Sequence, residues 1–288
     1  MSSDSEIRTV ELSAGHLAYQ DTGGDGPVLL LLHGVMMDAT VWDPVLPLLP
    51  PGLRVVRPTL PLGSHRLPLR RPEMATHHGV AELVGEFMEA LDLDDVALVL
   101  NDWGGAQLLL AERPARVTRA ALVACEAFDN FPPGMPGKMI AASAAIPGAM
   151  LLTAHLQRFD WFRRAPGGWG SMFKHPVPSS VMDGWFEPVR LNAAIRRDLR
   201  TFAGSTPTRT QRRWLAEAMR ELDIPVLVVW ASEDRLMPRE HGERLAELLP
   251  QGRLVEIDDS YTVVPQDQPA ALARALSELL ERDANSAR

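Results

Sequence analysis

Residues 97–107 read Ala97-Leu98-Val99-Leu100-Asn101-Asp102-Trp103-Gly104-Gly105-Ala106-Gln107, and the order of residue types decides the fold. Residues 96–100 are apolar and β-branched enough for a buried strand, and 106–111 suit a helix. The two glycines between them let the backbone turn where a side chain would block it. That turn presents Asp102 at the carboxyl end of a sheet, the edge at which open α/β sheets bind ligands. The plainer reading of Asp102 is an N-cap on an ordinary strand–helix junction.

Outward from this turn, strands alternate with helices. Residues 7–12 and 17–21 read as an antiparallel strand pair joined near Ala14 and Gly15, followed by a Gly-rich turn and the fully apolar strand 28–32. Strand 53–57 and a periodic helix over 73–91 precede the Asp102 strand; helix 106–113, stopped by Pro114, and strand 119–125 follow it. This order predicts a mostly parallel, doubly wound α/β sheet with right-handed crossovers. The alternation then stops over 126–223, where helical stretches such as 139–145 and 188–202 occur among prolines, glycines and tryptophans. So long an interval is expected to be a functional insertion rather than a loop. Strands 224–231 and 252–258 and helices 239–249 and 269–281 complete the pattern. The expected division is a core over 1–125, a helical cap insertion over 126–223, the rest of the core over 224–282 and a disordered tail over 283–288.

With 288 residues, 46% of them hydrophobic, the chain can bury one large core. Its net charge of −8 argues against nucleic acid or an anionic membrane surface as a partner. The apolar runs are too short to cross a bilayer, and residues 1–8 are too polar for a signal peptide. One cysteine, Cys125, excludes an intramolecular disulfide and fits a reducing cytoplasm. No cofactor fingerprint appears: Gly23-Gly24-Asp25-Gly26 precedes a strand instead of joining strand to helix. His77 and His78 are adjacent and would diverge on a helix, so no metal is expected.

Several segments together resemble the α/β-hydrolases across nearly the whole chain, and most nearly the aspartate-nucleophile branch of haloalkane dehalogenases and epoxide hydrolases. Asp102-Trp103-Gly104-Gly105 resembles that branch's nucleophile elbow. Leu32-His33-Gly34 resembles its oxyanion loop, the stretch from Trp230 to Pro238 its acid-bearing segment, and Asp267-Gln268-Pro269 the stretch beyond its catalytic histidine. The resemblance implies a hydrolase acting on a small or mid-sized apolar substrate. Asp102 would be the nucleophile and Asp234 the supporting acid, with backbone N–H groups of Val35 and Trp103 at the oxyanion. The Trp103 indole N–H could face a departing halide, and His33, Trp169, Tyr261 and Thr262 would border the substrate.

The chain departs from this pattern at one point. The family's histidine should fall near Thr262, and no histidine follows His241. Threonine and tyrosine cannot serve as the base near neutral pH, so an ester on Asp102 would form and stall. Three accounts stay open. Another histidine, with His65 the first candidate, could have moved into the site; Asp102 could support lyase or isomerase chemistry; or the protein binds a ligand without turnover. Tyr19 and Tyr261 are the only tyrosines and neither lies in 126–223, which counts against epoxides.

Overall fold

The computed structural model describes residues 6–165 and 168–286. Eight strands form one sheet in the order β1-β2-β4-β3-β5-β6-β7-β8. They are β1 (Arg8–Leu12), β2 (Gly15–Asp21), β3 (Val28–Leu32), β4 (Arg54–Thr59), β5 (Val96–Asp102), β6 (Val117–Cys125), β7 (Val226–Ala231) and β8 (Gly252–Ile257). The pairs β1/β2 and β2/β4 are antiparallel, and the remaining neighbours are parallel. Every residue of β3, β5 and β7 is buried, as strands covered on both faces must be. Burying one such leucine side chain contributes about 2 kcal/mol, so this apolar run holds the carboxyl ends of β3, β5 and β6 in fixed register.

Helices α1 (His77–Ala90), α2 (Gln107–Ala111), α9 (Arg239–Leu248), α10 (Val264–Asp267) and α11 (Pro269–Ser286) belong to the alternating part of the chain. Between β6 and β7 lie α3 (Gly134–Ala145), α4 (Ala149–Leu156), α5 (Asp160–Arg163), α6 (Ser179–Leu191), α7 (Ala193–Gly204) and α8 (Arg209–Met219). Helices α3, α4, α6 and α7 pack on one another. Helix α8 instead packs against α2, so the last part of the expected insertion flanks the sheet.

Four expectations need correction. Helix α1 starts at His77, four residues later than the expected start at residue 73, because Thr76 caps it by accepting from Gly79 N. The expected helix over 188–202 is two helices, broken at Asn192, whose side chain accepts from Ala194 N. Helix α2 stops at Ala111, before Pro114 could end it. The tail expected to be disordered is helical as far as Ser286; residues 287 and 288 lie outside the described residues.

Candidate active site

Asp102 is the last residue of β5 and has φ +61°, a conformation that costs an L-residue energy and persists only where its surroundings impose it. It caps no helix, since α2 begins five residues later. Its carboxylate projects toward the loop after β3. A Cβ on Gly34 would stand 2.2 Å from Asp102 Oδ2, so only glycine fits there. Gly105 (φ +75°) lies so close to the start of α1 that a Cβ would meet His77 Cα at 3.1 Å. The elbow is therefore clamped between the β3 loop and the N-terminus of α1.

The end of β6 brings in a residue that sequence reading missed. Register runs Asn101↔Val123 and then Asp102↔Cys125, so Ala124 is an extra residue, at φ +40°. This irregularity swings Glu126 under the elbow, where its Oε1 accepts from Gly105 N at 3.1 Å. Glu126 and Asp102 are both buried and line one small space of about 10 Å³ together with Asn101, His33 and Gln107. No spacing rule marks a lone glutamate after a strand; the signal lies in the positive φ of Ala124, which sequence does not print.

Asp234 lies on the loop after β7. Its Oδ1 accepts from Leu236 N (2.8 Å), Met237 N (2.9 Å) and the Thr262 hydroxyl (2.8 Å), while its buried Oδ2 has no partner among the described residues. The Thr262 carbonyl accepts from Asn101 Nδ2 at 2.9 Å, tying this loop back to the end of β5. The structure thus gathers Asp102, Asp234, Thr262, Asn101 and Glu126.

The charges in this group follow from burial. Burial pushes the Asp102 carboxyl up to about 7; a backbone hydrogen bond from Trp103 opposes the rise and the negative field of Asp234 adds to it. Burial lifts Glu126 to about 8 against backbone hydrogen bonds that include Gly105 and Gly104, and Asp102 raises it further. Burial also lifts Asp234 to about 6, with hydrogen bonds from Met237 N, Leu236 N and the Thr262 hydroxyl among those pulling the other way. Cys125, whose thiol faces Leu100 O at 3.3 Å, is held well above its ordinary value by burial and by the two neighbouring acids, so it stays protonated.

The structure does not bring every expected site residue together. The Val35 N–H donates to Trp103 O at 2.9 Å, so it is not free for an oxyanion. The Trp103 indole N–H, expected at the leaving group, donates at 2.7 Å to His77 Nε2. His77 Nδ1 then meets Ser205 Oγ at 2.9 Å, and its ring stacks on Phe202 with centroids 4.2 Å apart. Burial holds this imidazole down at about 3, so it stays neutral and can accept the indole proton. His65, the expected substitute base, pairs through Nε2 with Asp198 Oδ2 on α7 at 3.2 Å, and its Nδ1 accepts from Gly63 N. His33 braces its own loop, accepting from Leu60 N and facing Gly34 O, both at 2.8 Å.

Trp169 packs edge-on against Phe186, and Tyr261 lies beneath the Arg235 guanidinium, 4.3 Å from ring centroid to Cζ. His241 is buried against the edge of Phe128. Trp161 and Phe159, between β6 and β7, are exposed. Among the described residues no histidine hydrogen-bonds Asp234.

A mostly parallel sheet of this order, with an acid on a positive-φ turn between strand and helix, is the α/β-hydrolase fold. The sequence matches the Alpha/beta hydrolase family over residues 29–275, and the chain belongs to that family. Haloalkane dehalogenase 2 of Mycobacterium tuberculosis is 28% identical over 95% of this chain and 94% of its own length. The uncharacterized hydrolase YugF of Bacillus subtilis is 22% identical over 98% of this chain and 100% of its own. Among solved structures, haloalkane dehalogenase DbeA from Bradyrhizobium elkani superposes with a TM-score of 0.78 at 19% identity, covering 97% of this chain and 99% of that one. A bacterial membrane phospholipase A superposes at 0.73 and 21% identity, over 97% and 87% of the two chains. No helix among the described residues is long and apolar enough to cross a membrane.

Proposed function

We propose that this chain is a haloalkane dehalogenase-like hydrolase in which Asp102 displaces a leaving group from a saturated carbon of a small or mid-sized apolar substrate and forms an alkyl ester. The observation that carries this reading is the elbow itself: a buried carboxylate at φ +61°, with Gly34 stripped of a side chain where Oδ2 reaches. Displacement of this kind needs only an ionised carboxylate, which a pKa of about 7 supplies above neutral pH. No cofactor or metal enters, and helices α3 to α7 would act as a cap over the elbow. We place the reaction in the cytoplasm, in keeping with a single buried thiol.

Because His77 holds the Trp103 indole, the leaving group loses a donor. Bromide or iodide, which leave readily, should therefore be favoured over chloride. Asp234 has no imidazole to orient; it fixes the loop through Thr262 and the 236–237 backbone.

A second reading takes Asp102 as a proton donor and acceptor in lyase or isomerase chemistry, and the value of about 7 favours it. Intact-mass measurement after incubation with 1-bromobutane separates the two. The first reading expects a butyl adduct or bromide release in the native protein and neither in Asp102→Asn; finding neither in the native protein would overturn the first.

A further inference from the structure

We propose that Glu126 is the general base that hydrolyses the Asp102 ester, acting on water directly. This rests on the reading of Asp102 as nucleophile, and it answers the question that Thr262 raises.

The geometry makes the case in three parts. The extra residue at Ala124 places Glu126 beside Asp102, although it follows a different strand. The space they share with Asn101 is about 10 Å³, the size that holds one water molecule. A water there also needs a second acceptor, and Asn101 Oδ1 is buried with no partner among the described residues. Asn101 Nδ2 is fixed by Val123 O and Thr262 O, both at 2.9 Å, so the amide cannot turn its donor toward the water. Glu126 is itself oriented by Gly105 N, a backbone group that does not move with substrate.

The charge cycle is self-consistent. In the resting site, the negative field of Asp102 hinders the ionisation of Glu126. Esterification removes the Asp102 charge, so Glu126 ionises more readily when a base is required. A water proton passes to Glu126 as the water oxygen bonds to Asp102 Cγ. The tetrahedral intermediate collapses by breaking the bond from Cγ to the alkyl oxygen, and the departing alkoxide takes the proton back from Glu126. One water is consumed, one alcohol leaves, and Asp102 is restored with the water's oxygen in its carboxyl group.

The test follows the butyl adduct through single turnover of 1-bromobutane in wild type, Glu126→Gln and Glu126→Asp, by intact mass and butanol release. Thermal melts confirm that each variant is folded. Both variants should form the adduct. Glu126→Gln, which keeps an acceptor for Gly105 N but no basic site, should lose at least about 100-fold in the release step. Glu126→Asp should recover part of that loss. In wild type the release rate should rise with pH along a single ionisation, a readout that does not depend on any variant folding. Equal release by wild type and Glu126→Gln, a wild-type release rate that does not rise with pH, or an adduct that persists in the wild type, would overturn the role of Glu126 and leave the nucleophile standing. Neither adduct nor butanol in any sample would overturn both.

Discussion

Asp102 can keep its conformation only because the residues around it surrender their own freedom. Its φ of +61° is tolerable for aspartate, yet the side chain reaches a site only if Gly34 has no Cβ. Gly34→Ala would force the carboxylate or the β3 loop to move, and overpacking at such a buried contact costs about 1–3 kcal/mol. We expect urea unfolding to show that loss together with abolished adduct formation; an alanine variant that alkylates at the native rate would show that the carboxylate does not use this approach. The same residue scale shows what sequence could reveal. Asp102, Asp234 and Thr262 were legible because the elbow and the two loop segments have fixed spacings. Glu126 and His77 were not, since each reaches the elbow through a feature without a sequence signature: one extra residue in a strand, and the close packing of a helix start on Gly105.

Helix α7 is where two buried histidines, His65 and His77, are engaged. His65 pairs with Asp198, which also accepts from Leu69 N at 2.9 Å, and His77 meets Ser205 just past the helix end. The middle and the C-terminal end of α7 are thus tied to the core by imidazoles, and α6 adds a third tie, Ser64 Oγ donating to Trp185 O at 2.8 Å. Asp198 is wholly buried, so Asp198→Ala would leave the Leu69 N–H and the His65 Nε2 unpaired, at about 1–3 kcal/mol. Hydrogen exchange should speed up across α7 and residues 63–69 and leave β3 and β5 unchanged. Uniform acceleration over the whole chain would mean that Asp198 supports global folding, and no acceleration would mean that it anchors nothing. At this scale the sheet strands were legible from their apolar runs. The break at Asn192 was not, because helical periodicity continues across it and only the Asn192 cap to Ala194 N ends one helix and begins the next.

For the molecule as a whole, the buried ionisable groups set opposing pH windows. Asp102, Glu126 and Asp234 have folded values raised to about 7, 8 and 6, so the folded chain binds more protons than the unfolded one between roughly pH 4 and those values. Their contribution to stability therefore falls as pH rises through that window. His77, at about 3, and His33, His65 and His241, all lowered chiefly by burial, act the other way. The folded chain binds fewer protons at these imidazoles, so their contribution rises with pH and is complete near 6.5. Below that point the two sets offset one another; above it only Asp102 and Glu126 still titrate. Stability should pass its maximum near pH 6.5 and fall by about 2 kcal/mol toward pH 8.5, a drop of roughly 5 °C in Tm for a chain of this size. Glu126→Gln removes the group with the higher value, so its Tm should fall less over the same interval, whatever its absolute stability. A wild-type Tm that is flat or rising from pH 6.5 to 8.5 would mean that the two carboxyls are not held protonated together beneath the elbow.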